Sequence, residues 1–198
     1  MTFRQKILKA VYPFLIMKGK LKANQRSAHN PKNIPPMVSF YDLQVQLNSG
    51  ENLDFKTLKG KKVLLVNTAS NCGYTNQYAE LQQLYEAQKT QLEVIGFPAN
   101  DFKEQEKGSD EEIARFCQVN FGISFPLAKK TSVVKSAGQH PVFQWLSQKS
   151  KNGWNEKEPV WNFSKYLVNE SGVLTHFFDP SVSPLSREMR EAIEEQPG

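Results

Sequence analysis

The 198 residues suit one domain with a sizeable core plus one appended segment. At 39% hydrophobic and 23% charged residues the composition is that of a globular protein, and no stretch approaches the roughly 20 apolar residues of a membrane-spanning helix. The net charge of +5 belongs to the N-terminus: residues 1–41 hold eight Lys or Arg and no acid, against 17 bases and 20 acids in the remainder, which argues against a nucleic-acid-binding body.

The first segment, residues 1–36, reads as a basic N-terminal extension and linker ahead of a domain at 37–198. Phe3, Ile7, Leu8, Val11, Phe14 and Leu15 fall near helical spacing, with Arg4, Lys6 and Lys9 between them. Pro13 should kink or end that helix. Lys18 follows the short apolar run Ala10–Met17 with no small-residue cleavage site, so a cleaved signal peptide is not expected. Two readings stay open for residues 1–22: a helix lying on an anionic membrane surface, or an arm docked on the domain or on a partner. Asn24–Pro36, with three prolines, reads as the linker.

From Met37 the pattern is α/β. Phe40, Leu43, Val45 and Leu47 roughly alternate, and Asn48-Ser49-Gly50 supplies a turn before a second short strand at Asn52–Phe55, an N-terminal β-hairpin. Val63–Val66 is a continuous apolar run, typical of a strand buried on both faces. A helix is expected at about Asn76–Lys89 and a buried strand at Leu92–Phe97. Ser109 with Glu112 forms a capping-box signature that opens a helix with Ile113, Phe116 and Cys117 on one face. Another helix should follow Pro141. Asn162–Val168 and Val173–Phe178 read as a hairpin, and Pro184–Glu195 as the last helix. This order predicts a thioredoxin-like fold, a central mixed β-sheet flanked by helices.

Two cysteines are too few for a disulfide scaffold, and there is neither a Cys-x-x-Cys pair nor a zinc set. His29, His140 and His176 are scattered and read as surface or core residues, so no metal and no cofactor are expected. Cys72 lies in Asn67–Thr75, between a buried strand and a helix start, where unpaired backbone N–H groups and the helix dipole stabilise a thiolate. Gly73 would admit close approach of a ligand or partner. The alternative for Cys72 is a buried structural cysteine, which its small and polar neighbours disfavour.

Asn67–Leu84, reading NTASNCGYTNQYAELQQL, resembles the peroxidatic signature of the glutathione peroxidase family. Three further blocks agree in order and spacing: Gly96–Phe102, Gln105–Ser109 and Trp161–Leu167, and the resemblance spans about Ser39 to Ile193. It implies a catalytic set of Cys72, Gln105, Trp161 and Asn162. Gln105, Asn162 and the Trp161 indole N–H are suited to donate hydrogen bonds to the sulfur or to the peroxide oxygens as charge develops. Cys72 stands where well-known animal members carry selenocysteine. Cys117 matches the resolving cysteine of thioredoxin-dependent members; its place on an apolar helix face leaves a buried, inert cysteine as the alternative.

Three departures from the family pattern matter. Ala99 replaces a common cysteine, so that position has no thiol to resolve an oxidised Cys72. Asp101 replaces a usual Gln and Lys107 a usual Pro beside Gln105. The short Ser147–Pro159 connection lacks the insertion used by tetrameric members, which implies a monomer open to bulky lipid hydroperoxides. The resemblance thus implies a thiol peroxidase that reduces hydrogen peroxide and organic or lipid hydroperoxides through a Cys72 sulfenic acid, recycled by thioredoxin or, as the other candidate donor, glutathione. A redox sensor relaying Cys72 oxidation to a partner protein is the alternative. Two cysteines at functional positions and the absence of a secretion signal point to the cytoplasm, with membrane association left open.

Overall fold

A computed structural model describes residues 26–196. The amphipathic segment at residues 1–22 lies outside the described residues. The elements run β1 (Ser27–His29), β2 (Gln44–Gln46), β3 (Asn52–Asp54), β4 (Lys62–Thr68), α1 (Gln77–Gln88), β5 (Leu92–Pro98), α2 (Asp110–Phe121), α3 (Pro141–Ser147), α4 (Lys149–Asn152), β6 (Lys165–Val168), β7 (Leu174–Phe178) and α5 (Arg187–Glu194).

Five strands form one mixed sheet in the order β1-β7-β6-β4-β5, and β2 with β3 forms a separate hairpin. β4 and β5 are parallel from Lys62↔Leu92 to Thr68↔Pro98, a pairing that needs a crossover, and α1 supplies it. On its other side β4 meets β6 antiparallel, with Val66 opposite Lys165.

Every residue of β4 is buried, because the sheet carries apolar layers on both faces. Val63 and Leu65 point into a core with Phe40, Phe55, Phe143 and Trp145 from the hairpin side and α3. Leu64 and Val66 point the other way, against Tyr78 and Leu81 of α1, Ile113 and Cys117 of α2, and Met189 and Ile193 of α5. This two-sided burial is the thioredoxin-like plan that the order of elements predicted.

The differences from the expected elements have local causes. Phe40–Asp42 is a 3-10 turn capped by the Ser39 hydroxyl, which shortens the first hairpin strand to Gln44–Gln46. Asn162–Ser164 is loop, and β6 begins only at Lys165, because Asn67 takes up the backbone groups of that loop. The last helix begins at Arg187, since Ser186 caps it by accepting from the Met189 amide. The stretch read as a linker contains β1, which pairs antiparallel with β7 from Ser27↔Phe178 to His29↔His176.

Candidate functional site

The C-terminal end of β4 gathers the residues that the sequence singles out. Cys72 lies in the turn between β4 and α1 and is half-buried. Its backbone N–H donates to Thr75 Oγ1 at 3.0 Å, its carbonyl accepts from the Thr75 amide at 3.1 Å, and the Tyr74 amide donates to its sulfur at 3.5 Å. Thr75 Oγ1 donates in turn to the Ala69 carbonyl at 3.1 Å, so the turn is closed upon itself. A Cβ placed on Gly73 would meet nothing within 4 Å, which leaves open space beside the thiol.

Gln105 reaches this turn from the loop after β5. Its carbonyl accepts from the Asn71 amide at 3.1 Å, and its side-chain Oε1 accepts from Asn162 Nδ2 at 2.8 Å. With Oε1 so engaged, the Gln105 amide group keeps two N–H donors to offer to a ligand. Asn162 is fully buried, and its own Oδ1 lacks a partner among the described residues. Trp161 packs its ring against Phe102, 5.4 Å between centroids, with Lys103 Nζ 5.6 Å from its centroid.

Two residues that carried no assigned role in the sequence reading hold these groups in place. Asn67, on the buried strand β4, clamps the 161–164 loop. Its Nδ2 donates to the Trp161 carbonyl at 3.0 Å, its Oδ1 accepts from the Ser164 amide at 3.0 Å, and its carbonyl accepts from the Phe163 amide at 2.6 Å. Phe163 is held at φ +66, a conformation that bulky residues rarely adopt. Lys103 and Glu104, just before Gln105, also have positive φ, at +51 and +52. Left-handed backbone thus flanks both Gln105 and Asn162, as is common where surrounding structure fixes a functional group.

Glu106 is the second such residue. It is 1% exposed, and its Oε2 accepts from both the amide and the hydroxyl of Ser70, at 2.8 and 3.0 Å. Burial raises its pKa, and the two Ser70 bonds work against that rise.

Cys117 sits on α2, whose start carries the expected capping box: the Ser109 hydroxyl accepts from the Glu112 amide, and the Ser109 amide donates to the Glu112 carboxylate. Cys117 is 0% exposed, and burial pushes its thiol pKa up to about 11. Both cysteines are free thiols. Of the departures, Ala99 is fully buried, Asp101 anchors the next loop by accepting from the Val133 amide and the Ser132 hydroxyl, and Lys107 pairs with Glu104 at the surface. His140 caps α3 by accepting from the Val142 amide. Among the described residues no group of three or more His, Cys, Asp or Glu is placed to hold a metal, and no helix is long and apolar enough to cross a membrane.

The family model described as glutathione peroxidase matches residues 40–147. The chain belongs to the glutathione peroxidase family. A glutathione peroxidase homolog, BsaA, of Staphylococcus epidermidis is 44% identical over 75% of this chain and 93% of its own length. The glutathione peroxidase-like peroxiredoxin HYR1 of Saccharomyces cerevisiae is 42% identical over 80% and 96%. Among solved structures, the apo crystal structure of Trgpx is 33% identical over 80% of this chain and 97% of that one, with a TM-score of 0.60. As a glutathione peroxidase family member whose reactive candidates are cysteines, the chain is a thiol peroxidase, an oxidoreductase that reduces hydroperoxides.

Proposed function

We propose that Cys72 attacks the hydroperoxide and that Cys117 resolves the product. The Cys72 thiolate attacks the terminal oxygen of ROOH, the O–O bond breaks, and the departing alkoxide takes a proton to leave as ROH. The sulfur, now oxidised, is a sulfenic acid. Gln105, Asn162 and the Trp161 indole N–H act here as neutral donors toward the sulfur and the developing alkoxide. The observation that carries this reading is the bond from Asn162 to Gln105, because Gln105 also holds the backbone of Asn71, next to Cys72.

Cys117 then condenses with the sulfenic acid, forming an S–S bond and releasing water. Two thiols of a thioredoxin-type reductant return the disulfide to the dithiol form. Since Cys117 is enclosed in α2, closure requires local unwinding of that helix. Peroxide consumption in stopped flow, with thioredoxin, thioredoxin reductase and NADPH, tests the scheme against a parallel run with glutathione. Turnover with thioredoxin that either Cys72→Ser or Cys117→Ser abolishes is the expected result. Oxidation of Cys72 without turnover by any donor would favour the sensor instead.

The protein acts as a monomer in this reading, and residues 1–22 hold it at anionic membranes. The strand registers support that placement. Ser27 lies opposite Phe178, Phe178 opposite Lys165, and Lys165 opposite Val66, so the chain enters β1 at the Cys72 end of the sheet. Vesicle co-sedimentation should weaken when residues 1–22 are removed; equal binding would sink the idea.

A further inference from the structure

The active-site loops contain a buried carboxylate that the peroxide chemistry above does not use. We propose that Glu106 is a positioning residue that locks the Cys72 turn in its peroxide-reactive form and must release it before Cys72 and Cys117 join. The proposal rests on the reading of Cys72 as the attacking thiol and Cys117 as its resolver.

The geometry is a double tie between two loops. Ser70 gives both its amide and its hydroxyl to Glu106 Oε2, and the next amide, that of Asn71, goes to the Gln105 carbonyl. Three donors on the two residues before Cys72 thus end on two consecutive residues of the other loop. Glu106 is fixed from behind, because its own amide donates to Asn100 Oδ1 at 2.9 Å. A carboxylate accepting two bonds makes a stronger anchor than a neutral acceptor would.

The same residue adjoins the helix that carries the second thiol. Glu106 lies three residues ahead of Ser109, the cap of α2. Together with Ser70, Asn71, Gln105, Ile113 and Phe116 it lines a cavity of about 470 Å³ between the Cys72 turn and that helix. Burial is the main cause of the raised pKa values of Cys117 and Tyr78, and the negative charge of Glu106 adds to both. Moving Cys72 toward Cys117 disturbs the turn that Glu106 fixes. The tie therefore favours the first chemical step and opposes the second.

Protonation weakens the tie, since a neutral carboxyl accepts more weakly. Burial raises the Glu106 pKa, the Ser70 bonds lower it, and the Lys130 ammonium lowers it further. Glu112 lines the same cavity, as do Lys107 and Glu104, whose charges pair with each other. The lock opens as pH falls through the raised Glu106 pKa.

The test is the rate of Cys72 oxidation by hydrogen peroxide, followed by the rate of disulfide closure, from mildly acid to alkaline pH. Both are measured in the full chain and in Glu106→Gln, Ser70→Ala and Cys72→Ser variants. In Glu106→Gln, oxidation should slow about tenfold at neutral pH while closure speeds up a few-fold, and Ser70→Ala should move both rates the same way by less. On the acid side, the tenfold advantage of the parent over Glu106→Gln in oxidation should shrink toward one, so the parent's rate should fall with a steeper slope against pH than that of Glu106→Gln. Parental rates and slope in Glu106→Gln would overturn the proposal, as would equal slowing of both steps, which marks a merely loosened fold. If Glu106→Gln does not fold, parental rates in Ser70→Ala decide against the tie. A parent that oxidises Cys72 but never closes a disulfide removes the Cys117 reading and the release step with it, while the acid slope still decides the positioning. A Cys72→Ser variant that consumes peroxide at the parental rate would instead remove the reading of Cys72, and this proposal with it.

Discussion

The side-chain amide of Asn162 donates to the side-chain carbonyl of Gln105 at 2.8 Å, joining two loops that lie 57 residues apart in the chain. The bond fixes which ends of the two amides remain free. Gln105 is left with both of its N–H groups, and Asn162 with one.

That coupling makes the two residues act as a unit. Gln105→Ala and Asn162→Ala should each slow Cys72 oxidation by about 10–100-fold, because each removes a donor and frees its partner. The double variant should fall well short of the product of the two effects, since contacting residues do not act additively. Stopped-flow oxidation rates in the four chains of the cycle check this; strict multiplicativity would show that the bond plays no part.

Asn67 should matter for both stability and rate. Asn67→Ala strips the Ser164 amide of its acceptor and leaves the Trp161 carbonyl with the Ser164 hydroxyl alone, at a site where the Asn67 side chain is fully buried. An unsatisfied buried polar group costs about 1–3 kcal/mol, so a loss in that range is expected in urea denaturation. Peroxide reactivity should fall as well, because the loop that carries Trp161 and Asn162 loses its clamp.

The two thiols should differ sharply toward alkylation. With its pKa pushed up to about 11, Cys117 is thiolate in only about one molecule in a thousand at pH 8, and it is enclosed besides. Iodoacetamide at that pH should label Cys72 first and leave Cys117 intact until the chain is unfolded. Mass mapping of the labelled peptides reads this directly, and prompt labelling of Cys117 would contradict the buried placement.

Lys165 gives stability a pH dependence of predictable sign. Its Nζ donates to the Val182 and Pro180 carbonyls in a buried site, and burial lowers its pKa from 10.5 to about 7. Between those values the unfolded chain binds more protons, so stability rises with pH from about 7 toward 10.5 and is lost as pH falls back through 7. Above pH 9 the raised Cys117 pKa works the other way, since the folded chain then holds a proton that the unfolded one has released. The clean window is therefore pH 7–9, where the urea midpoint should climb in the parent and climb less in Lys165→Met.

Much of this architecture is legible from residue order alone. A fully apolar Val63–Val66 run is typical of a strand covered on both faces, and Ser109 with Glu112 announces a helix cap that forms as written. The site is legible through its motif blocks, since Cys72, Gln105 and Trp161-Asn162 are each marked by their surroundings. What escapes is whatever depends on pairing across the chain. Asn67 reads as the polar end of a strand until its partners 94 and 97 residues away are known. Phe163 at φ +66 has no sequence signal, because nothing about a phenylalanine announces a left-handed conformation. Nothing in the sequence marks Glu106 as buried, and only the fold shows it beneath Ser70.

The three residues of β1 have a consequence for solubility. Without them β7 would be the margin of the sheet, presenting five residues of unpaired backbone, and such a margin is a template on which a strand of another molecule can add. β1 replaces that long margin with one of three residues. A chain trimmed at residue 36 would lose this guard together with its basic tail, and would be prone to associate with itself for reasons unrelated to membranes or peroxide. Trimming at residue 22 removes the tail and keeps the guard.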